Sequence, residues 1–236
     1  MEVHLINFTP RPAATIAARV RNYRGQMVRS LDEISDREAV KYTNDVFNTH
    51  LQGPLEAVLL NFNVFDIPRW MTHQMVRTRV GASYSQTSLR FTLVDDGQAW
   101  YHHPFDEEHP LSAAAYELAM RRNMRCYHQL IQGGASIQDA RGVLPMDTLT
   151  FIGLDINYRA LVGIAASRLC TQAQPLWKQL VTMMKIEVLD KMGELFADYL
   201  VPVCVHDQHC PFGSVFDRPC PMQKKYPMRE ADYWLK

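Results

Sequence analysis

The ten residues Glu56 to Phe65, EAVLLNFNVF, place Val58, Leu60, Phe62 and Val64 on one side and Asn61 and Asn63 on the other. A period of two is strand geometry, so this chain folds around at least one half-buried β-strand. Helical patterns surround that strand. Residues 12–30 carry Ala13, Ala14, Ala17 and Ala18 in a helical repeat, and 35–52 predict a helix opened by Ser35 with Glu38 as its capping-box partner. Pro68 opens a short helix through Val76, and 111–132 predict a long one stopped by Gly133-Gly134, a pair suited to a left-handed cap. The QDARGVLP stretch ends at Pro145. Helices are then expected over 159–170 and 176–200, the latter with Leu180, Met183, Met184, Val188, Leu189, Met192 and Leu195 as a packing stripe. Strand and helix together predict α/β or α+β, and periodicity alone does not choose between them.

At 236 residues the chain fits one large domain, read as a catalytic core over 1–202 with an irregular Cys/Pro-rich tail over 203–236. No apolar run approaches the roughly 18 residues that span a membrane. The start, MEVHLINFTP, lacks the basic and apolar regions of a signal peptide. A cytoplasmic protein without a membrane partner is expected, its five cysteines reduced. Lys plus Arg equals Asp plus Glu at 25 each, which gives no electrostatic case for nucleic acid.

The distribution of charge says more than its sum. Between Asp66 and Asp95 there is no carboxylate, yet Arg69, Arg77, Arg79 and Arg90 lie there; between Asp155 and Glu187 the same absence surrounds Arg159, Arg168, Lys178 and Lys185. These cations lie on solvated faces, pair with carboxylates elsewhere, or await an anion. Residues 77–91, RTRVGASYSQTSLRF, read as a Gly/Ser-rich loop running into a strand that ends near Val94. Together with Gln74, this segment offers three guanidiniums, two amides and several hydroxyls, an inventory suited to a phosphorylated polar ligand. No Gly-x-Gly-x-x-Gly or Walker pattern is present, so a nucleotide would be held by side chains.

These residues resemble the flavin-dependent thymidylate synthase family, whose Arg-His-Arg signature precedes a Ser-rich loop ending in Ser-x-Arg-Tyr. Here the segments read RTR and SYSQTSLRF, with Thr78 in place of the histidine, Val80-Gly81-Ala82 one residue longer than the commonest loop, and Phe91 in place of tyrosine. Collinear matches continue. Ala17-Ala18-Arg19-Val20-Arg21-Asn22-Tyr23 is similar to the family's early Ala-Ala-Arg-x-Cys-Tyr helix, and Glu56 stands at a flavin-side glutamate, its accompanying histidine absent or displaced to His50. Ala140-Arg141-Gly142-Val143-Leu144-Pro145 with Thr150, then Asn157-Tyr158-Arg159-Ala160-Leu161, Arg168, Ala173 and Gln174, follow in family order. Gly163, Gln172 and Pro175-Leu176-Trp177 depart from it.

The resemblance implies an α+β fold, a mixed sheet flanked by helices, in a homotetramer with active sites at subunit interfaces. It implies C5 methylation of dUMP to dTMP, with 5,10-methylenetetrahydrofolate as carbon donor, reduced FAD as hydride carrier and NADPH as reductant. By the same resemblance Gln74, Gln86, Ser88, Arg90, Arg141 and Arg168 hold the pyrimidine nucleotide monophosphate, and Glu56, Arg77, Thr78, Arg79, Asn157, Arg159, Gly163 and Gln172 hold the flavin. Arg168 and Ser88 are the residues closest to the reaction, Arg168 stabilising charge that develops on the ring. Ser88 is read as a ligand-binding hydroxyl, because no His-Asp pair in sequence reach activates it as a nucleophile.

Two other readings stay open. One keeps the fold and flavin but takes UMP or dCMP, or gives a C5-hydroxymethyl product, and it is motivated by Thr78, Gly163 and Gln172. The other is a catalytically dead nucleotide- or nucleic-acid-binding protein. No resident metal is expected; within the tail, Cys204, His209, Cys210 and Cys220, with His206 nearby, supply enough soft donors for zinc, at spacings unlike a C-x-x-C knuckle.

Overall fold

The computed structural model describes residues 1–49, 51–95, 99–105, 108–211 and 220–226, so His50 and much of the tail lie outside the described residues. The protein is α+β. Its four strands are β1 (Glu2–Phe8), β2 (Leu59–Pro68), β3 (Ala82–Gln86) and β4 (Leu149–Asn157), in spatial order β1-β2-β4-β3. The helices are α1 (Pro12–Tyr23), α2 (Asp36–Phe47), α3 (Arg69–Met75), α4 (Pro110–Gln132), α5 (Ile137–Ala140), α6 (Tyr158–Arg168), α7 (Pro175–Met192), α8 (Glu194–Ala197) and α9 (Val203–Asp207).

The expected mixed sheet is instead antiparallel at every pairing. Thr9 N donates to Leu59 O (2.9 Å), Arg69 N to Thr148 O (3.0 Å), Thr87 N to Phe151 O (3.1 Å) and Asn157 N to Gly81 O (2.8 Å), so residue numbers rise on one strand as they fall on its neighbour. The alternation in β2 has the orientation expected: Val58, Leu60, Phe62 and Val64 are buried. On the opposite face Asn61 accepts from Asn7 Nδ2 (3.0 Å) and donates to Asp155 Oδ1 (2.6 Å). In β4 the buried positions are Thr150, Ile152, Leu154 and Ile156.

Other boundaries differ from expectation. Glu56 does not begin the strand; it sits in the 3₁₀ turn Gly53–Ala57 that precedes β2. The first helix stops at Tyr23, before Gly25, and the second at Phe47. Ser35 caps α2 as expected, its Oγ accepting from Glu38 N at 3.3 Å. The helix expected to reach residue 200 breaks after Met192, because Gly193 adopts φ 85° and cannot continue a right-handed helix. Leu189 of the supposed packing stripe is exposed, while Trp177, Leu180, Val181, Met184 and Val188 form the buried face. The strand near residues 92–94 is absent; the Ser-rich segment itself, Ala82–Gln86, is the strand.

The backbone divides into two compact units. One comprises Met1–Glu2, Asn63–Arg79 and Ser83–Leu154. Its core gathers Trp100, Met120, Met124, Tyr127 and Ala140. Asp147 ties α3 to α4 there, accepting from Trp70 Nε1 (2.7 Å) and from the Tyr116 hydroxyl. The other unit comprises Val3–Phe62, Val80–Ala82 and the chain from Asp155 onward. In it, α1 and α2 approach through Ala14, Ala17, Ala18 and Ala39, whose small side chains allow close packing around Ile34.

The edge strand β1 is closed by α7. Leu5 N donates to Glu187 Oε2 (2.6 Å), and Lys191 Nζ donates to Leu5 O (2.5 Å) and to Glu187 (3.2 Å). Burial opposes ionisation of Glu187, yet the Leu5 amide and Lys191 hold its carboxyl below the usual carboxylate range. A one-turn acid and base pair thus satisfies both backbone groups of Leu5, which an edge would otherwise offer to another chain. No described helix is long and apolar enough to cross a membrane.

Candidate active site

In the first unit the candidate nucleotide residues hang on α3, on β3 and the turn after it, and on the segment following α5. Pro68, in extended conformation with no N–H to donate, starts α3, which carries half-buried Gln74. The chain turns immediately after α3, through Arg77 N to Gln74 O (3.3 Å) and Thr78 N to Met75 O (3.0 Å). This turn presents Arg77 and Arg79 to solvent with Thr78 half-buried between them. The Tyr84 hydroxyl pins the turn, lying 2.8 Å from Met75 O and 3.0 Å from Thr78 O, and its burial raises its pKa above the ordinary phenol value. The RTR segment is therefore held through β3 rather than by its own side chains.

Gln86 donates Nε2 to the buried Thr72 hydroxyl (3.0 Å), which fixes the orientation of its amide. Ser88 is exposed, and its Oγ accepts from Arg90 N (3.3 Å). Among the described residues no histidine or carboxylate hydrogen-bonds Ser88, so the hydroxyl is not activated as a nucleophile. Arg90 donates Nε to Gln138 Oε1 (2.7 Å) and lies over the Phe91 ring, 5.3 Å from its centre. Its guanidinium is oriented by neutral partners.

Arg69 is a site candidate that reasoning from motifs passes over. It donates Nη1 to Thr87 O and Thr150 Oγ1, both at 3.4 Å, and its pKa is lowered by burial and then by the neighbouring Arg141 guanidinium. Two cations brought together without a carboxylate repel one another, and an anion between them removes that cost. The only signal in the sequence was the acid-free stretch that contains Arg69.

The second unit holds Glu56, Asn157, Arg159, Gly163, Arg168 and Gln172. Asn157 caps α6, its Oδ1 accepting from Ala160 N (2.9 Å). Arg159 follows on the first turn of α6 and pairs with Glu56 at 2.5 Å. Both side chains of that pair are about half exposed, at 51%. An exposed pair adds only about 0–1 kcal/mol to stability, so its clearer consequence is to fix the direction of Arg159. Arg159 and Gly163 line a cleft of 630 Å³, with Val162, Phe47 and Tyr199 among its walls. Phe47 and Tyr199 stack there at 3.9 Å, and nothing lies within 4 Å of where a Cβ on Gly163 would project. The cleft thus brings a cation, an aromatic wall and an open helix face to one place.

Arg168 ends α6 with its guanidinium 5.0 Å from the centre of the Trp177 ring. Gln172 lies half-buried in the turn between α6 and α7. Among the described residues Arg69, Arg77, Arg79, Arg90, Arg141 and Arg168 make no ion pair with a carboxylate, in contrast to Arg11 with Asp32, Arg121 with Glu117 and Arg159 with Glu56. Pairing with a carboxylate elsewhere is thus absent for these six among the described residues, while Arg77, Arg79 and Arg90 lie on exposed faces. The tail donors do not form a metal centre as they stand: among the described residues no group of three or more His, Cys, Asp or Glu side chains could hold a metal ion.

Residues 4–192 match the family model described as thymidylate synthase complementing protein. A flavin-dependent thymidylate synthase from Pyrococcus furiosus is 30% identical over 89% of this chain and 89% of its own length. One from Geobacter sulfurreducens is 32% identical over 74% of this chain and 76% of its own. Among solved structures, the flavin-dependent thymidylate synthase ThyX from Helicobacter pylori, complexed with FAD and dUMP, has a similar fold, with a TM-score of 0.64 at 20% identity. That similarity covers 84% of this chain and 99% of the other.

Proposed function

The chain belongs to the thymidylate synthase complementing protein family, and we propose that it methylates C5 of dUMP to give dTMP, using reduced FAD and 5,10-methylenetetrahydrofolate. The observation that carries this reading is the set of six arginines that have no carboxylate partner among the described residues, on the segments that match the family. A nucleotide monophosphate is the kind of anion that such a set accommodates.

In this reading Arg69 and Arg141 take the phosphate, each fork offering paired N–H donors to its oxygens. Gln86, held by Thr72, and Ser88 address the sugar and base edges, with Gln74 and Arg90 completing the pocket. Glu56 sets the orientation of Arg159, which with Arg77, Thr78, Arg79, Asn157, Gly163 and Gln172 receives the flavin. When bound, reduced FAD supplies the hydride that converts the transferred methylene to a methyl group, and NADPH is the reductant that restores it. The protein needs no nucleophile of its own. Arg168 draws negative charge toward the pyrimidine carbonyl as C5 forms its bond to the methylene carbon, and a fixed guanidinium does so without reorganisation during the step.

The assembly belongs to the same proposal: a cytoplasmic homotetramer in which neighbouring subunits supply arginines to one another's sites, its core spanning 1–202. The discriminating experiment incubates purified protein with FAD, NADPH and methylenetetrahydrofolate and offers dUMP, UMP and dCMP separately. A bound-flavin absorption band and dTMP from dUMP alone are expected. A methylated UMP or dCMP, or a hydroxymethyl product, would move the reading to the altered-substrate alternative; no flavin band after addition of FAD would defeat both.

A further inference from the structure

Four of the five cysteines of this chain come together although they are scattered through its last third. Cys170 follows the end of α6, Cys204 lies in α9, Cys210 follows α9 and Cys220 precedes the 3₁₀ turn Pro221–Lys224. All four line one narrow space of 20 Å³, whose walls also include Met222 and Tyr226. That volume holds one water-sized sphere and little else. All four are free thiols.

We infer that Cys170, Cys204, Cys210 and Cys220 form a structural zinc site that fastens the C-terminal tail to the end of α6. The donor set differs from the one suggested by spacing, in which His209 took a place. The His209 ring is turned to its own backbone, Nδ1 lying 2.9 Å from Asp207 O, and Cys170, more than thirty residues upstream, enters instead. Cys220 already has the outer contact that supports a ligand, its Sγ lying 3.0 Å from Thr171 Oγ1.

As placed, the four thiols do not close on one point, and among the described residues no group of three donors is set to hold a metal ion. Neutral S–H groups have no reason to do so. A tetrahedral zinc with Zn–S bonds of about 2.3 Å needs sulfur–sulfur edges of about 3.8 Å, which χ1 rotations of cysteines around a common space can supply. On binding, four Zn–S bonds form and the thiol protons leave to solvent; no electron is transferred.

The donor count favours a structural zinc over a catalytic metal. Four thiol donors fill a tetrahedral zinc and leave it no position for water or substrate, as in a structural site. Cys170 stands two residues beyond Arg168, so the site would also anchor the helix end that carries the arginine.

Full-length protein, expressed with zinc in the medium and purified without chelator or polyhistidine tag, is expected to contain about one equivalent of zinc by elemental analysis. Mercurial titration of wild-type protein should release that zinc as four thiols react, and cobalt-loaded protein should show thiolate-to-cobalt charge-transfer absorption. Cys170→Ser and Cys220→Ser should each retain less than about a tenth of the zinc, whereas His209→Ala and Cys126→Ser should retain all of it. Wild-type protein that carries less than about a tenth of an equivalent and takes up none on zinc titration overturns the proposal. So does undiminished zinc in Cys170→Ser, or an intact mass showing a disulfide among the four. Titration and cobalt spectra are read on wild-type protein, so a poorly folding variant does not blunt the test.

Discussion

Gly81 lies against Asn157 so closely that a Cβ on Gly81 would stand 2.4 Å from Asn157 Nδ2, and Gly81 O accepts the Asn157 N–H at 2.8 Å. With φ 76°, Gly81 also occupies the left-handed region that side chains avoid. The loop after the RTR segment is thereby seated on the residue that caps α6. Gly81→Ala is expected to destabilise the protein by about 1–3 kcal/mol and to weaken FAD binding, because the Asn157 cap must move. Thermal unfolding and flavin titration read the two effects. An unchanged melting temperature would contradict this account of the loop.

Arg69 and Arg141 are expected to act on one anion. Arg69→Met should raise the KM for dUMP by about 10- to 100-fold, the loss of one charge-assisted contact, with FAD binding retained. Arg141→Met should do the same, and the double variant should lose less than the sum of the two. Steady-state kinetics on the four proteins measure the coupling. Strict additivity would mean that the two guanidiniums serve separate ligands.

Arg168 has a packing role and a proposed chemical one, and magnitudes separate them. Its contact with the Trp177 ring is worth about 0.5–1 kcal/mol in stability. Loss of transition-state stabilisation by a fixed cation costs about 100-fold or more in kcat. Arg168→Ala should therefore lose most turnover while its denaturant midpoint moves little. A large stability loss with turnover preserved would reverse the assignment.

Glu56→Gln is expected to leave stability within about 0.5 kcal/mol of wild type, since its partner Arg159 is half exposed. FAD affinity should fall, because Arg159 loses the group that orients it. Fluorescence titration of FAD beside chemical denaturation tells the two apart.

Glu187 makes stability depend on pH at the edge strand. Its folded-state pKa lies below the unfolded value, so its contribution is complete above the ordinary carboxylate range and is lost as pH falls through the folded pKa. Glu187→Gln should flatten that acid limb, and Glu187→Leu should cost about 1–2 kcal/mol at neutral pH by leaving the Leu5 amide unmatched. Denaturation midpoints from neutral pH downward would show it. An acid limb identical in wild type and Glu187→Gln would place the titration elsewhere.

Much of this protein was legible locally. The Leu60–Val64 alternation, the Ser35 cap, the Pro68 helix start and the stop at Gly133 each depend on a few neighbouring residues, and each is in place. Neither β1 nor β4 was expected. In β4, half-buried Leu149, Phe151 and Gly153 separate the buried positions, so the segment reads as one apolar block rather than a clear alternation. In β3, Ala82-Ser83-Tyr84-Ser85-Gln86 has weak strand composition, and pairing with β4 makes it a strand.

The site divides the same way. Chain order and residue type by themselves determined the family, the acid-free arginine segments and the candidate ligand residues, because those are properties of neighbouring positions. Only the tertiary structure decided that the Arg141 charge reaches Arg69, that Glu56 meets Arg159, and that Cys170, not His209, lines the space with the other thiols. Those relationships join residues tens of positions apart, and long-range packing, which no local period encodes, sets the distances between them.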